Sequence, residues 1–460
     1  MMKNRFFPFK YEDEYFLYDS DIGIISEINK AINDAINDNI IVFNNDILER
    51  DSILGSLKSY LPIKNIDNSY KSLYDYINQF PDVDDKSKII RTNRSVSKEQ
   101  WYEGEVLNKL WLSIAHSCNM NCRYCFAEAG IYGHRSMMSI NTARKSIDYF
   151  FKYVNRNAKH IDINFFGGEP MLNKQCFIYC IDYINEKAKS FNFKVKYILT
   201  TNGTLLDSEI VEKIIENNMT VNLSIDGGEK IHNANRKFID GKPSYNLVEE
   251  NSRKLLSKSK NVIARVTLTK PGVDSFKEDI LKLWEIGFEE IYVDKVDTPI
   301  EELTLDKDSI DRFKVQLEEV YKIMEDNILK GQPKFISNIV SQEYSIYKKI
   351  VKAECKYFNP FTIKVTPEGD IYKCSFTFGD KKHCVGNIEK GIDWNLFNKN
   401  FVVEKKCLDC WAKRICGGGC PLKVKDNSYC NYTKTIAEIS LKFNIFLLKN
   451  NKDIMCFKNR

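Results

Sequence analysis

Three features that this sequence lacks narrow its class before any motif is considered. Its 460 residues contain no run of about 18 apolar residues, so we expect no membrane span. A secretory signal needs an unbroken apolar stretch near the N-terminus, but residues 1–10 lead directly into Tyr11, Glu12, Asp13 and Glu14. These absences predict a cytoplasmic protein with no membrane partner.

Charge of one sign is not in excess, and this bears on the class of partner. The formal net charge is +5, and basic residues alternate with acidic ones, as in 145–148 and 404–406. A protein that binds nucleic acid usually concentrates its basic residues in a stripe or patch. We therefore expect no nucleic acid partner. The composition, 43% hydrophobic and 28% charged, is typical of a folded globular protein.

Cysteine is absent from the first 117 residues and abundant afterwards. Of the 14 cysteines, three fall within residues 118–125 and eight lie between residues 355 and 430. Proteins of a reducing cytosol seldom use a disulfide framework, so this pattern indicates metal binding or catalysis.

The middle of the chain alternates strand and helix patterns. Short apolar or β-branched runs predict six strands, which are Leu110–Ala115, Ile161–Phe166, Lys196–Thr201, Val221–Ile225, Ile263–Leu268 and Glu290–Val296. Helical periodicity predicts the segments between them, which are Thr142–Val154, Cys176–Lys189, Ser208–Asn217, Tyr245–Ser257 and Ser275–Ile286. The alternation predicts an α/β fold with a parallel sheet, and six units are fewer than the eight of a closed barrel. We therefore expect an open, partial (β/α)6 TIM-like barrel over residues 105–300.

Three further segments flank this barrel. The pattern of residues 1–95 predicts a small sheet with about three helices. The end of this segment runs into a charged linker at 81–98. Residues 301–350 are strongly helical and form a bridge to residues 351–460. The elements predicted outside the barrel are strands Tyr15–Tyr18 and Ile22–Ile28 and helices around Lys30–Ala35, Asp46–Tyr60, Tyr70–Phe80 and Thr433–Leu448. Residues 355–430 are rich in Cys and Gly with little periodicity, so we expect metal to hold them together.

The first cysteine cluster directly follows the first predicted barrel strand. Cys118, Cys122 and Cys125 offer three thiolates on one loop, enough for three irons of a four-iron cluster, with the fourth iron left for a small molecule. Active sites of α/β barrels lie at this end of the strands. The alternative is a structural zinc loop, for which His116 offers a fourth ligand.

At these residues the chain resembles the radical S-adenosylmethionine (SAM) superfamily. Cys118, Cys122 and Cys125 match its CxxxCxxC signature, and Tyr124 takes the aromatic position beside the last Cys. The resemblance implies a SAM-binding [4Fe-4S] cluster that starts radical chemistry by cleaving SAM. It extends through the six strand–helix units.

Segments after the next three strands extend the resemblance to the SAM pocket. Gly167, Gly168, Glu169 and Pro170 are similar to the GGEP motif, which by resemblance holds the amino group of the SAM methionine. Glycines allow close backbone approach, and a carboxylate suits an ammonium group. The further pocket residues implied by the resemblance are Thr201, Asn202, Ser224, Asp226 and Arg236, with Ser224 and Asp226 on the ribose or methionine and Arg236 on the methionine carboxylate.

The second cysteine region resembles the SPASM domain of radical SAM enzymes that modify peptides. Gly369 precedes Cys374 by five residues, and the following spacing is Cys-x2-Cys-x5-Cys-x3-Cys from residue 407 to 420. The resemblance implies two auxiliary [4Fe-4S] clusters, with Cys407, Cys410, Cys416 and Cys430 on the second and Cys355, Cys374 and Cys420 on the first. Two structural zinc sites are the alternative.

The first auxiliary cluster then has three assigned ligands. Either Cys384 supplies the fourth, or one iron is open to a substrate thiolate, and we favour the open site. Cys176, Cys180 and Cys456 remain, and Cys176 and Cys180, four apart on a predicted helix, are interpreted as small buried hydrophobic residues.

Residues 1–95 resemble the winged-helix-like module that captures leader peptides, in which a peptide pairs with a sheet edge. A structural or oligomerisation role is the alternative for this module. Together the parts resemble thioether-forming maturases of the sactipeptide and ranthipeptide types. Such an enzyme links a peptide Cys to an acceptor carbon through a 5′-deoxyadenosyl radical. The implied partners are a precursor peptide with a leader and a Cys-rich core, and an electron donor such as flavodoxin or ferredoxin.

Three other functions stay open. An anaerobic sulfatase-maturating enzyme oxidises a Cys or Ser to formylglycine, but in that family an Asp commonly follows the Cys matched here by Cys374, and this chain has Ser375. A maturase that forms a different peptide crosslink is the second. An iron–sulfur or zinc scaffold protein is the third, and a SAM pocket argues against it. The general base and the acceptor residue are not indicated by the sequence.

Overall fold

The computed structural model describes residues 6–20, 23–28, 30–37, 97–332, 334–347, 361–398, 404–420, 422 and 427–453. The chain divides into two compact units. The first, the sheet unit, comprises residues 93–337 and 356–400, and the second, the terminal unit, comprises residues 1–92, 338–355 and 401–460.

The sheet unit is built on six parallel strands that pair in chain order. They are β4 (Lys109–His116), β6 (His160–Gly167), β7 (Lys194–Thr201), β8 (Thr220–Ser224), β9 (Val262–Leu268) and β10 (Glu290–Lys295). The helices that follow them are α3 (Ile140–Tyr153), α4 (Lys174–Phe191), α5 (Ser208–Glu216), α6 (Glu229–Asn235), α7 (Tyr245–Leu256) and α8 (Phe276–Ile286). The predicted α/β class and all six predicted strands are confirmed, since each predicted strand overlaps its observed one.

Local sequence explains where these helices begin. Ser139 precedes α3 and accepts a hydrogen bond from the amide of Thr142 (3.0 Å). Asp207 accepts one from the amide of Ile210 (3.0 Å) at the start of α5. Such caps satisfy amide groups that have no partner inside the helix.

The two faces of the parallel sheet differ in burial and polarity. On β9, Val262, Ala264, Val266 and Leu268 are buried, and the alternating residues, Arg265 among them, are half-buried. Side chains alternate between the two faces of a strand, so one face packs into an apolar core and the other is half-buried and more polar. The parallel pairing carries this alternation across the sheet, because Leu223 pairs with Ala264 and Ser224 with Arg265. The half-buried face is the one on which a ligand can be held.

Short strands that the sequence pattern did not predict extend both edges of this sheet. At one edge β11 (Phe335–Ile336) pairs with β10, inside a region predicted to be wholly helical. At the other edge β12 (Thr362–Val365) pairs in parallel with β4, and β13 (Asp370–Tyr372), β14 (Cys384–Asn387) and β15 (Gly391–Ile392) continue antiparallel. These strands are two to four residues long, too short to produce a periodic signal.

The smaller elements of the sheet unit are α2 (Lys98–Tyr102), β5 (Ser136–Met137), α9 (Lys307–Leu329) and α11 (Trp394–Phe397). Trp101 of α2 is fully buried and packs edge-on against Trp394 and Phe397 of α11. The strong helical pattern predicted for 301–350 is confirmed by α9 and, in the terminal unit, by α10 (Ser337–Tyr347).

The terminal unit contains a three-stranded antiparallel sheet. Its strands are β1 (Phe6–Tyr11), β2 (Glu14–Asp19) and β3 (Ile24–Ile28), and α1 (Lys30–Asn37) follows. Two of these strands were predicted and β1 was not. The other helices of this unit are α12 (Lys405–Leu408), α13 (Lys413–Cys416) and α14 (Asn427–Lys449). The helix predicted over 433–448 is confirmed as part of α14, whereas those predicted near 46–60 and 70–80 lie outside the described residues.

A side-chain contact within this unit holds α14 to the first strands. Lys449 forms ion pairs with Glu12 (2.9 Å) and Glu14 (2.5 Å). Within the described ranges, no helix combines the length and apolar character that crossing a membrane requires.

The two faces of the sheet differ in burial. This difference predicts that two Ile→Ala substitutions on neighbouring strands lower the free energy of unfolding by unequal amounts. Ile163 of β6 is fully buried, whereas Ile198 of β7 lies on the half-buried face. We expect Ile163→Ala to lower the free energy of unfolding by about 2–5 kcal/mol and Ile198→Ala by clearly less, because a cavity costs most where nothing relaxes into it. Urea unfolding followed by tryptophan fluorescence measures both. Equal losses would contradict the assignment of the faces.

Candidate functional site

The predicted site residues come from the ends of consecutive strands β4, β6, β7 and β8. Cys118 follows β4 by two residues, Glu169 follows β6, Asn202 follows β7 and Asp226 follows β8. Because the carboxyl ends of parallel strands meet at one edge of a sheet, these segments lie side by side. The hydrogen bonds below show that the structure links all four.

The cysteine loop and the Gly-Gly-Glu turn run backbone against backbone. The amide of Gly168 donates to the carbonyl of Ala115 (2.8 Å), and the amide of Glu169 donates to the carbonyl of Ser117 (2.8 Å). A Cβ at Gly168 would lie 2.2 Å from the oxygen of Ser117, and one at Gly167 would lie 2.3 Å from the oxygen of Ala115. Only glycine fits at either position, so the pair of glycines sets the approach of the loop that carries Cys118.

The Glu169 carboxylate is fully buried and ties the second strand end to the third. Its Oε1 accepts hydrogen bonds from the Thr201 hydroxyl (2.8 Å) and the Met171 amide (3.1 Å), and its Oε2 accepts from the Asn202 amide (2.7 Å). Burial raises the pKa of this carboxyl to about 7, while these donors lower it. A carboxylate accepts about four hydrogen bonds, so one position is left for an ammonium group.

Pro170 begins the turn that positions Glu169. It is buried and opens a short 3-10 helix, Pro170–Asn173, for which Glu169 is the cap. A fixed proline φ suits the first position of a helical turn. The GGEP motif thus supplies two glycines for backbone contact, a buried carboxylate and a proline that begins the following helical turn.

Two residues that sequence reasoning missed complete the link between the third strand end and the cysteine loop. The Asn202 amide nitrogen Nδ2 donates to Asn119 Oδ1 (2.9 Å) and lies 3.7 Å from Cys118 Sγ. Asn119 Nδ2 in turn donates to the hydroxyl of Thr204 (2.8 Å). Both missed residues lie within two positions of a predicted one, so proximity in sequence was the available signal.

The carboxylate of Asp226 connects the end of β8 to the cysteine loop and to β9. Its carboxylate accepts the Tyr124 hydroxyl and the Thr267 amide (3.0 Å), and it forms an ion pair with Arg236 Nε (3.1 Å). The Arg236 guanidinium lies 5.3 Å from the centre of the Tyr124 ring, and its Nη1 is 4.0 Å from Cys122 Sγ. The structure therefore brings Tyr124, Asp226 and Arg236 together beside the second cysteine.

Asp226 was expected to contact the ribose or methionine, and that contact stays a prediction. Its side chain has no exposed area, and its oxygens are engaged by the protein. Ser224, expected to share that contact, is half-buried at the end of β8 and is nearer to solvent. In this arrangement Asp226 orients Tyr124 and Arg236, and Arg236 keeps nearly all of its side chain buried.

His232 is a buried residue that sequence reasoning did not single out. Its Nδ1 accepts the amide of Asp226 (3.4 Å), and its Nε2 bonds to the Ser244 hydroxyl (3.0 Å), which donates to the Arg236 carbonyl (2.8 Å). Since the serine proton is used, His232 carries its own proton on Nε2. Burial, with the charge of Arg236, lowers the pKa of His232 to about 3, so the ring is neutral and supports the Asp226 segment.

The turn after β8 is fixed by an acidic residue of α8. Asp279 Oδ1 accepts the amide of Gly228 (2.7 Å), and its Oδ2 accepts the Ser275 hydroxyl (2.7 Å). Gly227 has φ of +122°, and a Cβ there would lie 2.4 Å from the Asp279 Cβ. Burial raises the pKa of the Asp279 carboxyl to about 6.

The three cysteines of the loop fit a thiolate-bound cluster. All three are half-buried, and the Met120 amide donates to Cys118 Sγ (3.4 Å). Burial raises the pKa of the Cys118 thiol to about 12 and that of Cys122 to about 11, so without a metal these thiols stay protonated at neutral pH. A cationic cluster supplies the charge that ionises such thiols.

In the zinc alternative, His116 is the fourth ligand. Its ring is buried among aromatic side chains. The His116 ring centre lies 4.7 Å from that of Tyr132 and 5.7 Å from that of Phe378. In the part of the chain that the structure describes, no three His, Cys, Asp or Glu side chains converge as the ligands of one ion do. Thiolates that each bind a different iron of one cluster stand farther apart than the ligands of a single ion.

The second cysteine group lies in the terminal unit. Cys407 is on α12, Cys416 ends α13 and Cys430 is on α14, with Cys410 between the first two. Burial, followed by the neighbouring Cys410, raises the pKa of the Cys416 thiol to about 11. The cysteines predicted to share the second auxiliary cluster thus belong to one compact unit, and their assignment stays a prediction.

The described cysteines predicted for the first auxiliary cluster belong to different units of the chain. Cys374 follows β13 in the sheet unit, Cys420 belongs to the terminal unit, and Cys355 lies outside the described residues. Cys384 pairs with Tyr372 across β13 and β14, and its thiol donates to the carbonyl of Gly386 (3.2 Å). Whether it is a ligand stays open.

Cys176 and Cys180 lie on α4 and are fully enclosed. Both are buried, and their sulfurs are 3.9 Å apart. The prediction that they are small buried residues is confirmed. Cys456 lies outside the described residues.

Comparisons with known proteins identify a family and several relatives that this chain resembles. The family model described as the radical SAM superfamily matches residues 112–284. An uncharacterized protein of Methanocaldococcus jannaschii is 30% identical over 312 residues, which are 67% of this chain and 96% of that protein. The Cys-type anaerobic sulfatase-maturating enzyme of Clostridium perfringens (strain 13) is 28% identical over 334 residues, 66% of this chain and 85% of that enzyme.

Among solved structures, native anSMEcpe with bound AdoMet and the Cp18Cys peptide is similar in fold. Its TM-score is 0.63 at 23% identity, and the match covers 75% of this chain and 99% of that one. The matched region of the family model contains the cysteine loop and the ends of β6, β7 and β8.

The backbone contact at Gly168 predicts a large effect of one added methyl group. We expect Gly168→Ala to lower iron content after anaerobic reconstitution by up to about a third, the share of one of the three expected four-iron clusters, because its Cβ collides with the rigid Ser117 carbonyl. Gly228→Ala is the matched control, since φ there is −74° and the nearest atom, Asp279 Oδ1 at 3.3 Å, needs to give by only a few tenths of an ångström. Similar iron content in the two variants would contradict this account.

The raised pKa of the Asp279 carboxyl predicts that the free energy of unfolding depends on pH. Its pKa rises from 3.8 to about 6 on folding, so the folded state favours the protonated form. The protonated Asp279 carboxyl stabilises the folded state by at most about 3 kcal/mol. This stabilisation is present below about pH 4 and is lost as the pH rises through 6. We expect the isosteric Asp279→Asn to remove this pH dependence while keeping an acceptor for Gly228. Urea unfolding from pH 4 to pH 7 measures it, and parallel curves for the two proteins would refute the assignment.

Proposed function

The chain belongs to the radical SAM superfamily, and from that premise we propose that it modifies a ribosomally made, Cys-rich precursor peptide by forming Cys thioether crosslinks. Membership of the family implies a [4Fe-4S] cluster and SAM. The single observation that carries the SAM chemistry of this proposal is the joining of strand ends around Cys118 and Cys122 by buried and part-buried hydrogen bonds.

When bound, the cluster and SAM supply reductive cleavage of the sulfonium and a 5′-deoxyadenosyl radical. The chain holds that chemistry with Cys118, Cys122 and Cys125 as iron ligands. Glu169 keeps one acceptor position for the SAM ammonium, and Arg236 offers a cation for its carboxylate. These buried polar groups are fixed before the ligand arrives, which lowers the reorganisation needed during the reaction.

The proposed substrate reaction balances on the peptide. Each link forms one sulfur–carbon bond and removes two hydrogens from the peptide. One leaves the acceptor carbon as a hydrogen atom and ends in 5′-deoxyadenosine. The other leaves the Cys thiol as a proton, and the electron that remains is taken up by the auxiliary iron–sulfur clusters. An external donor such as flavodoxin or ferredoxin supplies the electron that cleaves SAM.

Two features of the chain support a peptide substrate. The sheet of β1, β2 and β3 presents main-chain groups to which an extended leader can add by strand pairing. The cysteine spacing from 407 to 430 provides ligands for a second auxiliary cluster, and Cys355, Cys374 and Cys420 provide ligands for a first. We assign leader recognition to residues 1–95, SAM chemistry to residues 105–300 and the SPASM function to residues 351–460, with residues 301–350 as a bridge.

The relatives named as peptide-modifying enzymes support the same class. The enzyme of Clostridium perfringens is named a sulfatase-maturating enzyme, and anSMEcpe was solved with a peptide bound. By this similarity a peptide is the substrate class proposed for this chain.

Formylglycine formation is the second candidate, and the similarity to the sulfatase-maturating enzyme over 85% of its length favours it. The residue after Cys374 bears on the choice. Ser375 is buried at the start of a short 3-10 helix, where an Asp is common in that family. A serine hydroxyl is a far weaker base than a carboxylate, so this chain lacks that group at the matched position.

One incubation separates the two candidates. Reduced enzyme with SAM and a Cys-rich leader-bearing peptide is expected to give a product lighter by two hydrogens per link, with no aldehyde for a hydrazide reagent to capture. A sulfatase-type peptide giving an aldehyde, with the Cys-rich peptide unchanged, would favour formylglycine formation instead. Mass spectrometry with thiol alkylation reads both results.

Two cysteine variants serve as controls for that experiment. Cys122→Ala removes a proposed iron ligand, and we expect it to abolish 5′-deoxyadenosine formation. Cys176→Ala changes a buried cysteine of α4 and is expected to leave it intact. Equal activity of both variants would refute the assignment of the cysteine loop.

A further inference from the structure

The side chain of Asn202 makes contacts that its expected place in the SAM pocket does not require. It is buried at the end of β7, and its amide nitrogen lies 3.7 Å from the sulfur of Cys118. Sulfur is a large acceptor, so an N–H donor at this distance is within hydrogen-bonding range. Asn202 therefore faces an iron ligand.

The hydrogen-bond network fixes which atom of the Asn202 amide faces the sulfur. Its Oδ1 accepts the Thr204 amide (3.0 Å) and the Thr204 hydroxyl (2.7 Å). Its Nδ2 donates to Asn119 Oδ1 (2.9 Å), whose own orientation is set because Asn119 Nδ2 donates to the Thr204 hydroxyl (2.8 Å). Rotating the Asn202 amide by half a turn would place its NH2 against the Thr204 N–H and its oxygen against the Asn119 oxygen. The orientation with N–H toward Cys118 is the one that satisfies every partner.

The main chain of Asn202 is held independently of its side chain. Its amide donates to Glu169 Oε2 (2.7 Å), and the carbonyl of the next residue, Gly203, accepts Asn251 Nδ2 (2.9 Å). The side chain is therefore placed by strand-end contacts on both sides and does not depend on the sulfur for its position.

We propose that Asn202 is a positioning residue that donates a hydrogen bond to the Cys118 thiolate and thereby raises the reduction potential of the cluster bound at Cys118, Cys122 and Cys125. Reduction adds negative charge to the cluster and its thiolates, and an N–H donor stabilises that charge. Hydrogen bonds to the sulfurs are among the factors that set the potential of such clusters. The proposal rests on the cluster assigned above and is independent of which peptide is modified.

The effect differs from that of a SAM-binding residue. A residue that only contacts SAM changes SAM affinity and leaves the potential of the SAM-free cluster unchanged. A donor to Cys118 changes that potential before SAM or peptide is added. The measurement is therefore made on reconstituted enzyme without either.

The test compares Asn202→Leu with Asn251→Leu in redox titrations followed by electron paramagnetic resonance. Both asparagines are 8% exposed and brace the same segment, but Asn251 contacts the Gly203 carbonyl instead of the sulfur. The cluster concerned is identified as the signal that changes when SAM is added afterwards. At the wild-type midpoint, we expect the ratio of reduced to oxidised cluster to fall about tenfold in Asn202→Leu, as for loss of a hydrogen bond to a charged group, and to stay near one in Asn251→Leu.

An unchanged ratio in Asn202→Leu, or an equal fall in Asn251→Leu, would overturn the proposal. Asn202→Asp keeps an acceptor for Thr204 but replaces the donor with an oxygen, so its ratio is expected to fall further than that of Asn202→Leu. If the variants do not assemble the cluster, wild-type enzyme labelled with 15N at asparagine side chains gives an independent result. Pulsed resonance of the reduced cluster should then show coupling to one amide nitrogen, and its absence would refute the hydrogen bond.

Discussion

The close contact between the cysteine loop and the Gly-Gly-Glu turn is the constraint on which the site depends. Two backbone hydrogen bonds, from Gly168 to Ala115 and from Glu169 to Ser117, place the loop after β4 directly against the end of β6. This approach leaves no room for a side chain at Gly167 or Gly168. It fixes where Cys118 stands relative to the buried Glu169 carboxylate, which in turn holds Thr201 and Asn202 at the end of β7.

Buried polar groups connect this first contact to the rest of the sheet. Glu169 holds the main chain at Asn202, and Asn202 returns to the cysteine loop through Asn119 and Cys118. On the other side Asp226 holds Tyr124. These buried groups hold one another by hydrogen bonds, with one acceptor position left on Glu169, and such a polar network is rigid in a low-dielectric interior. Such rigidity suits a site that must hold a charged ligand and exclude water.

The residues expected to line the SAM pocket differ in their burial. Asp226 has no exposed side-chain area and is surrounded by protein donors, whereas Ser224 is half-buried and nearer to the open face of the sheet. Asp226 holds Tyr124 and Arg236 beside Cys122. His232, neutral because of its burial, supports the same segment from behind. Of these residues, Ser224 is thus nearer to solvent, whereas Asp226 is enclosed by its protein partners.

The sequence by itself determined the α/β class, all six parallel strands and the cysteines of the loop, because strand and helix periods and the spacing of Cys118, Cys122 and Cys125 are local signals. It did not reveal β11 or the strands β12 to β15, which are short or pair with residues far away in the chain, as β12 does with β4. It also missed β1, although that strand is six residues long and pairs with the neighbouring β2. Nor did it indicate that Asn202 faces Cys118 or that Asp226 is enclosed. Those facts are decided only in the tertiary structure, because they depend on which buried donors and acceptors the sheet brings within hydrogen-bonding distance.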